Sequence, residues 1–534
     1  MKKVFRLSLL LMICCTLVLP AYANLINANT SNYTTYLNSL VANDTLKLAP
    51  GIYTNHLTLN GINGNAGTPI VIMGSGLSTV FQGNACCNTV SITQCSYLTI
   101  RDLKLDGLNL NIDAVKAEGT SGNWAHHITL EYLNIVNYGS SQQNVGISTK
   151  CAAWDWIIRK NKIIGAGTGM YLGNSTGEAP FVNGLIEYNF IANTIGYNIE
   201  IKHQLDTVRA LFAGTAVNGK TMIRHNVFTK DTTSSTGANA RPNVLVGGFP
   251  LNGFGSTDYY EIYGNFFYNN PVEALFQGTG NIHLYNNIFV NHYDPAGFRA
   301  IYLTPHNGVS PQNIQVFHNT VWAKNTSGGI RLYNPNNAYQ QYCYSNAVFS
   351  PQAISNFTNS VDNVTDSYVN AGNYVLAANA NINALNLYPQ SGQLFSTLTP
   401  FTLFMNNIDW SKDFNHGIYD WTYRGAYSGC CVNNGWTLQL DTMSSTPVIA
   451  NTLLPIQATQ TFTLFPNPVE NYLHIEHSFA IPTSLTVTDL MGRTLKTQYI
   501  NQHFKLDMSS MPKGIYLIHL KNSQGYSTQK IIKE

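Results

Sequence analysis

The stretch "LIEYNFIANTIGYNIEIKHQ", residues 185–204, decides the fold. It holds short apolar–polar alternations broken by asparagine-bearing turns, and none of its runs is long enough or suitably spaced for a helix. Its opening pattern is an apolar residue, two variable residues, Asn, one variable residue and a second apolar residue. That pattern returns as "LEYLNIV" at Asn134, "IIRKNKI" at Asn161, "LIEYNFI" at Asn189, "MIRHNVF" at Asn226, "EIYGNFF" at Asn265, "HLYNNIF" at Asn287, "QVFHNTV" at Asn319 and "YCYSNAVF" at Asn346. The spacings run from 22 to 39 residues with a mean near 30. This is about the length of one coil of a parallel β-helix, three short strands and three turns, with loops of variable size inserted at the turns. Asparagine tolerates left-handed backbone angles, and its side chain can bond the amide of the next coil, so a stacked Asn ladder is expected at a repeated sharp turn. A helical solenoid is excluded because β-branched and aromatic residues dominate the apolar runs.

Bulk properties agree with a large secreted β structure. "MKKVFRLSLLLMICCTLVLPAYA" has a basic start, a short apolar run and an Ala21-Tyr22-Ala23 ending, the pattern of a secretory signal over residues 1–23. Removing Lys2, Lys3 and Arg6 from 29 basic residues leaves 26 against 27 acidic ones. The mature chain is thus nearly neutral, with no global field for nucleic acid, and attraction to an acidic substrate has to be local. No later segment has the length of apolar sequence that a spanning helix needs. Of nine cysteines, Cys14 and Cys15 leave with the signal, so seven remain. Cys86 or Cys87 with Cys95 is one plausible disulfide, and burial as small apolar residues is the alternative.

Three early segments carry a resemblance: "DTLKLAPGIY" from Asp44, "GTPIVI" from Gly67 and "YLTIRDL" from Tyr97. They resemble the first coils of secreted right-handed parallel β-helix proteins, in particular polysaccharide lyase family six with its chondroitinase and alginate lyase members. "DFNHGIYDWTYRGAYSG", residues 413–429, is similar to the closing stretch of such helices. The resemblance implies an all-β fold, a right-handed parallel β-helix over residues 24–440, and an acidic polysaccharide as substrate. Residues 441–461 form a Thr, Ser and Pro linker. Beyond it, Phe465-Pro466-Asn467-Pro468, Asp489 with Gly492-Arg493, and Pro512-Lys513-Gly514-Ile515-Tyr516 resemble the type A sorting domain of the type IX secretion system. Residues 462–534 are therefore expected to be a small β-sandwich handled by that export machinery, on a monomer that is released or held at the cell surface. A carbohydrate-binding sandwich is the alternative for this segment.

Stacked coils bring outward residues into columns. The strands that follow the asparagine turns offer Ser148 and Lys150, Tyr171 and Asn174, Asn198, Glu200 and Lys202, Arg241 and Asn243, Glu273 and Gln277, Tyr302 and His306, and Arg331 and Tyr333. Such a polar, tyrosine-rich groove suits a sugar polymer, because rings stack on sugars while amides and charges satisfy hydroxyls and carboxylates. Elimination on a uronate needs neutralisation of its carboxylate, a base for the adjacent proton and a donor to the leaving oxygen. Lys202 is the expected base, Arg241 the neutralising group, and His203, Tyr302 or His306 the donor. Glu200 with Asn198 could instead hold a calcium ion. Lys150, Tyr171, Asn174, Asn243, Glu273, Gln277, Arg331 and Tyr333 are expected to bind substrate. Glu200 and Lys202 also suit a plain solvated charge pair. A glycoside hydrolase would need two facing carboxylates, for which Glu200 and Glu273 are the candidates, and a non-catalytic glycan-binding adhesin would need no such chemistry.

Overall fold

The computed structural model describes residues 23–120, 122–209, 218–444, 462–477, 483–489, 494–521 and 526–534. The expected signal peptide up to residue 22 and linker residues 445–461 lie outside the described residues. From Leu25 to Asp366 the chain winds as a right-handed parallel β-helix with three faces. One coil consists of Leu185–Glu187, Phe190–Ala192 and Ile199–Ile201. The next consists of Lys220–Arg224, Val227–Thr229 and Val244–Val246, with Ile186 over Ile223, Ile191 over Phe228 and Ile199 over Val244. All six side chains are fully buried. Strands this short present one or two inward residues each, so the core is a set of stacked aliphatic and phenyl columns. At the N-terminal end the short helix Tyr33–Leu37 closes the stack, with the Tyr33 ring edge-on to Tyr53 and Phe81.

The asparagine ladder runs through the turn between the first and second faces. Asn189 Oδ1 accepts from the backbone N–H of Asn161 at 3.0 Å and from its Nδ2 at 2.9 Å. The same double contact repeats through Asn226, Asn265, Asn287, Asn319 and Asn346 to Asn363. Two details differ from the sequence reading. Asn134 lies over Lys162, one position past the rung, and Leu133 occupies the rung itself, donating its N–H to Asn161 Oδ1. Asn363 continues the ladder by one coil beyond the last expected copy. The left-handed backbone also belongs to the residue before each rung: Tyr132, Lys160, Tyr188, His225, Gly264, Asn286, His318, Ser345 and Asp362 have φ between 52° and 64°. The rung asparagine is selected for its side chain, which supplies the partner that the sharp turn denies to the backbone.

The winding ends earlier than residue 440. Residues 368–443 form an irregular arm that packs on outward apolar residues of the helix. Beneath it, on the second face, lie Phe190, Val227, Phe266, Ile288, Trp322 and Phe349. On the first face it covers the stacked rings of Tyr263, Tyr285 and Phe317 with Phe404 and Trp421. The arm is part of the same folded unit, because burying those rings supplies the apolar contact that an exposed outer column lacks.

The C-terminal segment has a three-stranded antiparallel sheet (Phe462–Phe465, Tyr472–His477, His503–Asp507) and a four-stranded one (Thr483–Asp489, Thr494–Ile500, Gly514–Lys521, Tyr526–Lys533). They enclose Leu473, Ile475, Leu485, Val487, Leu506 and Ile518, as in a sandwich. Adjacent cysteines are paired, Cys86 with Cys87 and Cys430 with Cys431. Cys95 is therefore not their partner; it is free and buried, as are Cys151 and Cys343.

The ladder can be tested against its neighbour. Asn226→Leu strips the acceptor from the buried Asn189 N–H and should cost roughly 2–4 kcal/mol of β-helix stability. Asn134→Ala, off the ladder, should change it by no more than about 0.5 kcal/mol. Denaturant unfolding of both variants measures the contrast.

Candidate functional site

The third face is an eleven-stranded parallel sheet from Leu57–Asn60 to Ile354–Ser355. Its outward column runs Lys116, Ser148, Tyr171, Glu200, Leu245, Gln277, Tyr302, Arg331 in strict register. One strand-length alternation further on, Lys150, Gly173, Lys202 and Gly247 succeed one another. The two glycines leave a notch around Lys202. A Cβ at Gly247 would come within 2.4 Å of the His203 amide nitrogen, so the chain can pass here only without a side chain.

Between this column and the turns that precede it lies a cleft of about 580 Å³, lined by Asp113, Lys116, Lys150, Tyr171, Tyr197, Glu200 and Arg241 among others. Glu200 is only 4% exposed at its floor. Lys202 Nζ donates to Glu200 Oε1 at 2.8 Å. Lys150 Nζ stands 3.3 Å above the centre of the Tyr171 ring and forms no ion pair among the described residues. Burial pulls the Lys150 ammonium down to about 8, against the upward pull of Asp113 and Glu200, with Lys116 and Lys202 adding to the depression. Burial likewise raises the Tyr171 hydroxyl, with Glu200 adding to it and Lys202 opposing. Arg241 reaches the cleft from the loop after Lys230, and the Tyr197 hydroxyl faces it.

The expected trough is thus partly assembled. Glu200 and Arg241 line one cleft with Lys150 and Tyr171, and Lys202 joins through its ion pair. His203 and His306 sit on the far side of Lys202, where burial and the neighbouring Lys202 charge keep both imidazoles below their ordinary range. Tyr302 is three coils along the column from Glu200, and Arg331 is four. At about 4.8 Å per coil they are some 14 and 19 Å away, so Tyr302 cannot serve the same reacting bond. Glu273 is half-buried near Arg241 and Lys230, and burial carries its carboxyl up to about 7.

Several expected positions face elsewhere. Asn198 is fully buried, with Nδ2 on Ile191 O and Thr194 Oγ1. Asn243 is also fully buried, between Asn269 O and Asn270 Nδ2. Gln204 turns inward to Phe181 O. Asn198 and Asn243 each immediately precede a three-residue strand, Ile199–Ile201 and Val244–Val246, where the coil is still turning and the side chain is drawn into the stack. Asn174 Oδ1 accepts from the Ala179 N–H and closes its own loop. With Asn198 inside and Glu200 bonded to Lys202, this donor set does not fit calcium. Among the described residues, Glu200 belongs to no group of three close His, Cys or acidic donors.

Lys116, Asp113, Tyr197 and Lys230 were not singled out from sequence. Lys116 lies a coil before the first asparagine motif, beyond the reach of that pattern. Lys230 takes the turn position held by Asn193 and Asn269 in the flanking coils. It is wholly buried and donates to Gly196 O and, at 2.7 Å, to Arg241 O. It thereby ties the Arg241 loop to the turn that carries Tyr197. A lysine in an asparagine turn column was the signal available.

These features define an exported type of β-helix with a polar, cation-lined groove on one bare face. Residues 463–534 match the family described as secretion system C-terminal sorting domain, which indicates export to the cell surface or the medium. No helix among the described residues is long and apolar enough to cross a membrane. The chain is similar to an alginate lyase from Paenibacillus sp. strain FPU-7, at 18% identity over 52% of this chain and 97% of that one, with a TM-score of 0.37. It is similar to the GH136 lacto-N-biosidase from Eubacterium ramulus, at 11% identity over 64% and 68% of the two chains, with a TM-score of 0.38. It is also similar to pectate lyase Pel9A, at 10% identity over 78% and 91%, with a TM-score of 0.36. No curated protein sequence matches the chain.

The depressed Lys150 ammonium has a direct test. Lysine-selective ¹³C NMR should find two lysines titrating low, near pH 8 for Lys150 and near 7 for the buried Lys230, and only the first should vanish in Lys150→Met. Asp113→Asn should move the Lys150 titration lower still, because that carboxylate holds the proton on.

Proposed function

We propose that the protein is an extracellular polysaccharide lyase that cleaves a uronate-containing polymer by β-elimination on its third face. The supporting observation is Lys150, an amine partly withdrawn from water, without a carboxylate partner, in a cleft it shares with Arg241 and Tyr171. Lys202, the base expected from sequence, is already committed to Glu200 at 2.8 Å. In this reading Arg241 and Lys116 hold the uronate carboxylate and stabilise the charge that builds on it. Neutral Lys150 removes the adjacent ring proton, and the electron pair forms the new C4–C5 double bond as the C4–O bond breaks. Tyr171, its hydroxyl facing Lys202, gives its proton to the departing oxygen. No metal enters these steps.

Hydrolysis is the second reading, favoured by one observation: Glu200 and Glu273 both act on the Tyr197 hydroxyl, and the Glu273 carboxyl near 7 could remain protonated as an acid.

Purified protein incubated with alginate, pectate and chondroitin should release products that absorb in the ultraviolet, as unsaturated uronates do. Reducing ends without that absorbance would favour hydrolysis, and binding with neither would favour an adhesin. Lys150→Met should lower kcat at least about 100-fold. Because Lys150 is protonated below about 8, kcat/KM should rise with pH up to that point and then level. A chelator should leave the rate unchanged, and loss of activity on chelation would overturn the metal-free assignment.

A further inference from the structure

Arg101, Arg159, Arg209, Arg224 and Arg424 each lie within 4.0 Å of a carboxylate. Three arginines do not: Arg241, Arg299 and Arg331 form no ion pair among the described residues, and all three border the third face. Arg241 belongs to the cleft already described. Arg331 stands in the outward column directly beside Tyr302, and its guanidinium lies 5.1 Å from the centre of the Tyr333 ring. Arg299 lies 5.3 Å from the centre of the Tyr302 ring, and its Nη1 donates to the carbonyl of Gly297. The Nε of both Arg299 and Arg331 is buried without an acceptor. A buried guanidinium donor left without a partner is costly. Two guanidinium groups, each held against a tyrosine and neither paired with a carboxylate among the described residues, make a place suited to an anion. The rings of Tyr302 and Tyr333, 6.3 Å apart, supply faces for a sugar beside it.

We propose that Arg299, Tyr302, Arg331 and Tyr333 form a distal subsite for an acidic group, carboxylate or sulfate, on a sugar several units from the bond that is cut. The inference rests on the proposed polysaccharide reading and adds chain direction and length to it. Tyr302 and Arg331 stand four and five coils from Tyr171, over whose ring the Lys150 amine sits, or about 19 and 24 Å by coil count. One hexuronate unit is about as long as a coil is thick, so the polymer runs along the helix axis. The subsite then meets the fourth or fifth sugar from the bond that is cut. Gln277, in the column between, is left to meet neutral hydroxyls.

The test uses the full chain carrying Lys150→Met, so that ligand is bound without being cut. Calorimetry follows polyuronate fragments of two, three, four, six and eight units, with a neutral glucan and a sulfated neutral glucan as separate arms. Expected is a step in affinity once fragments reach about five or more units, seen between four and six. The Arg299→Ala/Arg331→Ala pair should remove it, binding long fragments at least about ten-fold more weakly while leaving dimers unchanged. Strong arginine-dependent binding by the sulfated glucan would assign sulfate as the anion, and a step confined to polyuronates would assign carboxylate. An equal effect on dimers, no step with length, or a neutral glucan held as tightly would overturn the distal subsite while leaving the lyase reading intact. Absence of binding by every acidic fragment, together with absence of turnover by the unsubstituted protein, would overturn both.

Discussion

Everything on the third face depends on the stacking register that the asparagine ladder imposes at the opposite corner of the coil. Each rung spends one side chain on two jobs, accepting a buried backbone N–H and passing a carboxamide hydrogen to the next rung. A slip of one residue would turn every strand over, bringing Glu200 and Lys202 into the core and Ile199 and Ile201 into water. A ladder buried on all sides makes that slip costly over many coils at once. The chemistry can therefore rest on strands of only three residues, because their positions are fixed by rungs elsewhere in the coil.

The same economy explains which parts of the protein were legible in its sequence. The rungs were visible because asparagine recurs at one fixed place, three residues after an apolar residue and two before the next, and the coil length followed from their spacing. The pattern failed where the backbone alone did the work. Leu133 fills a rung by donating its own N–H, and nothing about leucine announces that. The left-handed position one residue earlier carries Tyr, Lys, His, Gly, Asn, Ser or Asp, which leave no common signature. Within the site, Glu200 and Tyr171 were legible because they sit at the centre of a strand, where alternation holds. Asn198, Asn243 and Gln204 were not, because each lies outside a strand. Lys150 was visible as a groove residue, but its role as an amine without a carboxylate partner emerged only when Lys202 was found bonded to Glu200.

The bareness of the groove is itself a consequence of where the chain places its apolar surplus. Phe190, Val227, Phe266 and Trp322 on the second face, and Tyr263, Tyr285 and Phe317 on the first, need a cover, and residues 368–443 supply one. The third face offers instead Lys116, Tyr171, Gln277, Tyr302 and Arg331 in its outward column. It thus has little apolar surface for an arm to bury. Selection for an open face is written in those outward residues, not in the arm.

Charge tells the same story at a finer scale than composition can. The chain is nearly neutral and sparsely charged, so its total predicts little attraction for an acidic polymer. Yet on the first face the charges cancel locally, Arg101 and Arg159 on Glu131 and Arg224 on Glu187. On the third face Lys116 and Lys202 pair with Glu118 and Glu200, but Lys150, Arg241, Arg299 and Arg331 form no ion pair among the described residues. Balanced totals with unbalanced pairing leave cations along one groove free to meet an anionic chain, and low-dielectric walls strengthen such contacts. Recognition of this kind requires no excess of basic residues, only cations that stand near acids such as Asp113, Glu200 and Glu273 without pairing with them.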